Sequence, residues 1–595
     1  MSGDINMKTS STFTPNESVN EINSVNGKKS IIEQAQNSVN ENIPFLSDLS
    51  TSVNEIAKSV NVNETRRAKK PLKTSTAILN TQMLVDEFDT EDRLDKKFIT
   101  KQLQHIPYSV RIVAKNTYNR FFKLDSNGKF QANSYLRTLA EFTKNLAIDV
   151  TWSESQIELI AKSRADMCHS YAANLAHQGE MDDEVLSALE SVLLQNNISP
   201  RKGKYVLGDI SRYCSDKWWH KKLTRLQNIE LETLSQYVRI VSKQSQIYLS
   251  DANFQRGREK KRRNKIFLDS LEAVNEKGES VDLKVLADSN TSNPVNRRNE
   301  LMTRLHGCEV YGDKHHYVAD FLTVTCPSRM HSVHNNGKPN DKYDETTPKQ
   351  ANQYLGGQWA KTRAHLARLN VDYFGFRVAE PHHDGTPHWH ILVFVKPKDR
   401  HVLRETMSHY ALEVDGDEKG ASKYRFKIDP INKAKGSAVG YIAKYISKNI
   451  DGFGLEKDEY GKASNESALR VCEWSSLWGI RQFQQFGGPP VTLWREARRL
   501  ALTEEVNITP VWVAADKGDW CEFIEALGGV NVARKDLPVS LVKEFIETEG
   551  EYWEPIGYVV VGLSCGGEIY SSREHTWTKR RKENVSSLGL GENEV

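Results

Sequence analysis

Two histidines and a glutamate at the ends of one short loop are the residues best placed to do chemistry. The stretch from Tyr373 to Phe394 holds Glu380, then Pro381-His-His-Asp-Gly-Thr-Pro387, then His388-Trp-His390. Phe374, Phe376, Val378 and Glu380 share one parity, and His388, His390, Leu392 and Phe394 share another, so each set lines one face of a strand. Asp384-Gly385 between them is a turn signal, and the stretch predicts a β-hairpin with Glu380 opposite His388 and His390 one pleat further along. Two imidazoles and a carboxylate converging on one point suit a divalent cation with positions left open for substrate. The pair alone decides little, because 17 histidines in 595 residues give roughly 0.5 His-x-His pairs by chance. The structural alternative is a hairpin whose histidines hydrogen-bond within a core.

The second chemical feature is Tyr441-Ile-Ala-Lys-Tyr445-Ile-Ser-Lys448, preceded by Gly436-Ser-Ala-Val-Gly440. Its pattern predicts a short helix with Tyr441, Tyr445 and Lys448 on one face and Lys444 beside them. A tyrosine stripe is more often core than catalyst. However, this is the only Tyr-x-x-x-Tyr in the chain and 388/390 the only His-x-His. Their coincidence some fifty residues apart, with lysines interleaved, is hard to read as packing alone.

On these motifs the chain resembles the HUH superfamily of rolling-circle replication endonucleases, and most closely the phage replication gene A protein family. Three motifs stand in order: the strand Phe321-Leu-Thr-Val-Thr-Cys-Pro-Ser-Arg-Met-His331, the Glu380…His388-Trp-His390 hairpin, and Tyr441-x-x-x-Tyr445. Thr347-Pro-Lys-Gln-Ala351 and Trp478-Gly-Ile-Arg-Gln-Phe-Gln-Gln-Phe-Gly-Gly-Pro-Pro490 also match, and the resemblance covers residues 130–530. It implies an antiparallel sheet carrying the two histidines centrally, with the tyrosines on a neighbouring helix. On the motifs and the resemblance together, Glu380, His388 and His390 bind the metal, and the resemblance implies Mg2+ or Mn2+. A tyrosine, Tyr441 first, attacks the scissile phosphate of single-stranded origin DNA and becomes joined to its 5′ end. The freed 3′-hydroxyl primes synthesis, and Tyr445 serves the later cleavage that lets the strand be transferred and rejoined. Lys444 and Lys448 either hold phosphate charge, assist proton transfer or simply solvate the helix.

Several alternatives stay open at this level. Two imidazoles are unusual for magnesium, and the ligand set suits manganese or zinc equally. His382, His383 and His331 compete as third ligand, with loop surface the structural reading of the first two. A transposase or conjugative relaxase of the same superfamily would use the same site. A metal-dependent hydrolase would make both tyrosines dispensable, and a non-enzymatic DNA-binding protein would leave the whole set without a role. The chain has no Gly-x4-Gly-Lys-Ser/Thr loop, and the resemblance implies a host helicase for unwinding and a host polymerase for synthesis.

The elements that must position these residues follow from the rest of the chain. A length of 595 residues fits three or four structural units. The 81 basic and 78 acidic side chains nearly balance, so nucleic-acid binding must come from local clusters. Seven cysteines without a Cys-x-x-Cys suit a reduced setting, here the cytoplasm of a bacterial host. No stretch reaches the apolar length that spans a bilayer. Residues 1–80, with Ser-Val-Asn recurring at irregular spacing, predict a disordered tail. Residues 81–300 read as mainly helical and DNA-binding in composition, through Asp216-Lys-Trp-Trp-His-Lys-Lys-Leu-Thr-Arg225 and the basic run Arg256 to Lys265, with Arg262 and Arg263 as phosphate contacts. Core packing is the other reading of the two tryptophans. Residues 301–500 form the α+β catalytic unit, and 501–595 a small α+β appendage.

Overall fold

The computed structural model describes Phe88 and residues 93–582, apart from positions 125, 202, 204, 435, 458–460, 462, 502–505 and 553. The tail expected over residues 1–80 lies outside the described residues. Among the described residues eleven strands follow in chain order: Leu271–Asn275 (β1), Ser280–Asp282 (β2), Val318–Val324 (β3), Tyr373–Pro381 (β4), Pro387–Val395 (β5), Phe426–Pro430 (β6), Phe483–Phe486 (β7), Val539–Glu549 (β8), Pro555–Cys565 (β9), Glu568–Ser571 (β10) and Trp577–Arg581 (β11). With the helices between them they make an α+β protein, and every named strand pair is antiparallel.

The sheet that matters for chemistry has the order β6-β3-β5-β4-β7. Its central strand β5 is buried at all nine positions, as the apolar run Ile391 to Val395 requires of a strand covered on both faces. One face carries Phe321, Phe374, Phe376, Val378, Leu392 and Phe394 against Leu301 and Leu305 of the Pro294–Lys314 helix and Ile442, Ile446 and Ile450 of the Ala438–Ile450 helix. The other carries Val324, Ala379, Trp389, Ile391 and Val393 against Leu355, Leu403 and Trp474 from three further helices. Phe374 and Phe394 stack across β4 and β5 with ring centroids 5.0 Å apart. Each such buried side chain contributes roughly 1.5–3 kcal/mol, so this ladder fixes the register in which the polar ends of the hairpin meet. The predicted Thr347-Pro348 cap is present: Thr347 and Gln350 form a capping box with Pro348 opening the helix.

The described residues between 93 and 269 are mainly helical and build two cores. Trp218 and Trp219 belong to one of them, the Trp219 indole donating to the Tyr213 carbonyl at 2.8 Å. The core reading of these tryptophans therefore prevails, since a stacking platform needs an open face. Beyond residue 501, Trp520, Phe523 and Leu563 enter the core on the Phe374 and Phe394 face of the sheet, and β11 returns to pair with β1. Among the described residues no helix is long and apolar enough to cross a membrane.

Candidate active site

The hairpin closes in the predicted register, with Glu380 opposite His388 and Val378 opposite His390. Its turn is held from within and without. His382 N–H donates to the Thr386 carbonyl and Gly385 N–H to the His382 carbonyl, both at 2.8 Å. Gly385 sits at φ 83°, where a side chain is strained, and a Cβ there would meet Gln236 Nε2 at 3.1 Å. From outside, Trp474 donates its indole N–H to the Gly385 carbonyl at 2.8 Å, Gln236 its amide to the Asp384 carbonyl at 3.2 Å, and Tyr248 its backbone N–H to the His383 carbonyl at 3.3 Å. The helical region thus clamps the loop that joins the two strands of the site. For the same reason His383 is buried, 5% exposed, and His382 half-buried, where loop surface was expected.

Glu380, His388 and His390 bring one ligand atom each to within 4.8 Å of one another. The two Nε2 atoms are 3.0 Å apart, and Glu380 Oε2 lies 3.2 Å from His390 Nε2 and 3.8 Å from His388 Nε2. Ligand atoms bound at ~2.1 Å to one ion stand roughly 3–3.5 Å apart, so the donor set fits a divalent cation. Thr323, opposite His390 on β3, has its hydroxyl 3.1 Å from His390 Nδ1. Donation of Nδ1–H to that oxygen leaves Nε2 a lone pair turned inward. Burial, then neighbouring His390 and Lys448, hold His388 far below the usual histidine range, in the neutral form a metal ligand needs. Burial alone would raise the Glu380 carboxyl, but Lys448 and His390 outweigh it and hold it at about 2. Lys448 is 5% exposed and its ammonium touches Glu380 Oε1. Lys448 is thus buried against Glu380 rather than solvated, whereas Lys444 on the same helix is exposed.

Both tyrosines lie on the Ala438–Ile450 helix. Ser437 caps its start by accepting from Gly440 N–H at 3.0 Å, and Glu309 of the Pro294–Lys314 helix accepts from Ala438 N–H at 2.5 Å, a carboxylate at the positive end of the helix. The Tyr445 ring packs on the His390 imidazole with centroids 3.9 Å apart, and on Phe321 at 5.3 Å. Tyr441, one turn earlier, is 6.4 Å from Phe321. Both rings are half-buried, while Lys444 is exposed with its ammonium 5.3 Å from the Tyr445 ring centroid.

A family profile for the bacteriophage replication gene A protein matches residues 151–453, which contain the hairpin and both tyrosines. The chain belongs to the bacteriophage replication gene A protein family. Among curated gene A relatives, the replication gene A protein of Escherichia phage 186 is 39% identical over 423 residues, 66% of this chain and 60% of that protein. The probable replication protein P12 of Pseudoalteromonas phage PM2 is 38% identical, over 63% of this chain and 60% of its own length. A probable replication endonuclease from prophage-like region 1 of Salmonella typhi is 37% identical, over 63% of this chain and 48% of that protein. The chain thus spans about half to 60% of the length of these relatives. No solved structure matches it.

Within this gene A family chain the structure gathers Glu380, His388, His390, Lys448 and Tyr445 at one end of the sheet, with Tyr441 a turn away. His331 is not drawn into the cluster; its Nδ1 faces Asp384 Oδ2 at 3.1 Å. Arg262 and Arg263 sit apart on the exposed face of the Asp251–Asp269 helix, paired with Glu259 at 2.7 Å and Glu154 at 2.9 Å. Sequence reasoning missed Thr323, Gln236, Tyr248 and Glu309. Thr323 alone left a signal, as a polar position facing inward on an apolar strand.

Proposed function

We propose that this chain is a phage replication initiator that nicks one DNA strand by tyrosine transesterification, on an HUH-type sheet. The observation that supports the reading is the Tyr445 ring lying against His390, one of three groups able to share a cation. A divalent cation, Mg2+ or Mn2+, held by Glu380, His388 and His390 would neutralise charge on the scissile phosphate and the leaving oxygen. The phenol of Tyr441 or Tyr445 loses its proton and its oxygen attacks phosphorus. The bond from phosphorus to the 3′-oxygen breaks, that oxygen takes up a proton, and the 5′ end stays esterified to tyrosine. Lys444, with its ammonium near the Tyr445 ring, would meet charge on the phosphate there. The ester conserves the linkage, so a second tyrosine one helical turn away can take part in a later transfer that reseals the strand. Lys448 holds Glu380 ionised.

Two basic segments separated in sequence support DNA binding. Lys221 and Arg225 from one helix and Arg256, Lys260 and Arg263 from another line a single cavity of about 410 Å3. Origin DNA, single-stranded at the nick, is the substrate on this reading, with a host helicase and polymerase as partners in the bacterial cytoplasm.

The test incubates wild-type protein and the Tyr441→Phe, Tyr445→Phe and double variants with labelled single-stranded origin DNA and Mn2+, and looks for a protein–DNA adduct that survives denaturation. The expected adduct requires metal and vanishes in the double variant, while the single variants rank the two nucleophiles. Cleavage that persists in the double variant would replace the covalent mechanism with metal-activated hydrolysis.

A further inference from the structure

A cavity of about 770 Å3 lies at the β7 edge of the catalytic sheet, where five arginines, Arg297, Arg304, Arg481, Arg495 and Arg534, face a single carboxylate, Glu300. Glu300 is already engaged: it accepts from Arg495 at 2.8 and 2.9 Å and lies 3.4 Å from Arg304. Arg481 and Arg534 are exposed and form no ion pair among the described residues. Arg304 is 7% exposed and spends one N–H on Gln485 Oε1 at 2.9 Å. Gathering four more cations than anions in a half-enclosed space is unfavourable unless an anion joins them.

The cavity opens on the chemical face of the sheet. Gln485 and Phe483, both in its lining, pair with Phe376 and Val378 of β4. Paired residues face the same side of a sheet, and Phe376 and Val378 share theirs with Glu380. The strand bearing the cavity is also tied to the site. Ala379 N–H donates to the Gln482 carbonyl at 2.7 Å, and the Gln482 amide donates to Asn449 of the tyrosine helix at 3.4 Å. Gly487, at φ 70°, lets the chain leave β7 tight against Phe374, whose Cβ a glycine replacement would meet at 2.5 Å. The cavity therefore borders β7, the strand next to the one that carries Glu380.

We propose that this cavity is a second anchoring site for the phosphodiester backbone of single-stranded DNA, gripping the strand beside the nick and positioning the scissile phosphate under the tyrosines. Planar guanidinium forks suit phosphate oxygens, and such contacts set register without reading sequence. This rests on the nicking reading for its purpose, although the binding itself can be measured without cleavage.

The experiment uses Tyr441→Phe/Tyr445→Phe protein in EDTA and follows fluorescence anisotropy of a labelled oligodeoxythymidine across a salt series. Onto it are placed Arg481→Gln/Arg534→Gln and, as a control, Lys97→Gln/Lys101→Gln on the exposed face of the Arg93–Leu103 helix. Loss of two phosphate contacts should weaken binding and make the slope of log affinity against log salt shallower by about 1.4, at ~0.7 per phosphate for a single strand. The control should leave both unchanged. An arginine variant with wild-type affinity and slope, or a control equal to it, overturns the subsite. A wild-type chain that makes no adduct, yet loses strand affinity with the two arginines, would fail the nicking reading and keep the subsite.

Discussion

Two clusters of one carboxylate with histidines lie on either side of the same hairpin loop, and they are finished differently. Asp384, fully buried, accepts from Thr386 N–H, the Thr386 hydroxyl and His331 Nδ1, each at 3.1 Å. Glu380, 1% exposed, is met by the Lys448 ammonium and by two Nε2 atoms. Both carboxyls are pulled below their ordinary range against the effect of burial, Asp384 by His331 and then His382 and His383, Glu380 by Lys448 and His390. The first is satisfied by its own turn and has a structural task. The second is met by one cation and two imidazole nitrogens, an arrangement able to hold a metal ion. Residue type does not separate the two; the hydrogen bonds that neighbours supply do.

The sharpest way to break this comparison is to remove each carboxylate. Asp384→Ala strips the turn of its acceptor and leaves buried donors unpaired, and should cost about 3–5 kcal/mol in chemical unfolding. Little or no loss would mean that the turn does not depend on the Asp384 cluster. Glu380→Ala should weaken Mn2+ binding by more than ~100-fold in calorimetry, beyond what loss of an outer-shell group causes, while His331→Ala leaves it intact. Equal losses in the two variants would place the ion elsewhere.

Acid titration of the metal-free protein sharpens the contrast further. The folded Glu380 pKa of about 2 lies below the value of about 4.3 in an unfolded chain. Its contribution to stability is therefore present above about pH 4.3 and lost as pH falls toward about 2. In melting temperature against pH, Glu380→Gln should flatten that acid limb; an unchanged limb would assign it to other carboxylates, Asp384 first.

Much of the site was legible in the sequence because strand parity is a rigid rule. Once Glu380, His388 and His390 were placed on two strands joined through Asp384-Gly385, only one register brought them together, and the apolar ladder from Phe374 to Phe394 enforces it. The tyrosine helix was legible from its period. Contacts across long stretches of chain were not. Nothing near Trp474, Gln236 or Tyr248 announces that they hold the hairpin loop, since a hydrogen bond to a backbone carbonyl leaves no pattern. Nor does residue order show that β11 pairs with β1, or that Lys448 turns inward while Lys444 faces solvent. These are choices of packing, made where apolar surface from distant segments is buried together.

The smallest expected effect tests whether the inward lone pair of His390 is set by its neighbour on β3. Thr323 and His390 are directly paired across the two strands, hydroxyl to Nδ1 at 3.1 Å. A Thr323→Val chain keeps the shape and β-propensity of the position but offers no oxygen to Nδ1–H. The imidazole can then carry its proton on either nitrogen, and the Nε2–H form cannot bind an ion. Mn2+ affinity should fall about 10-fold, roughly 1.4 kcal/mol, with adduct formation recovered at saturating metal. Recovery is what separates orientation from ligation, because Glu380→Ala lacks a ligand that added metal cannot restore. A Thr323→Val protein that stays inactive at saturating Mn2+ would show that the hydroxyl takes part in the reaction itself.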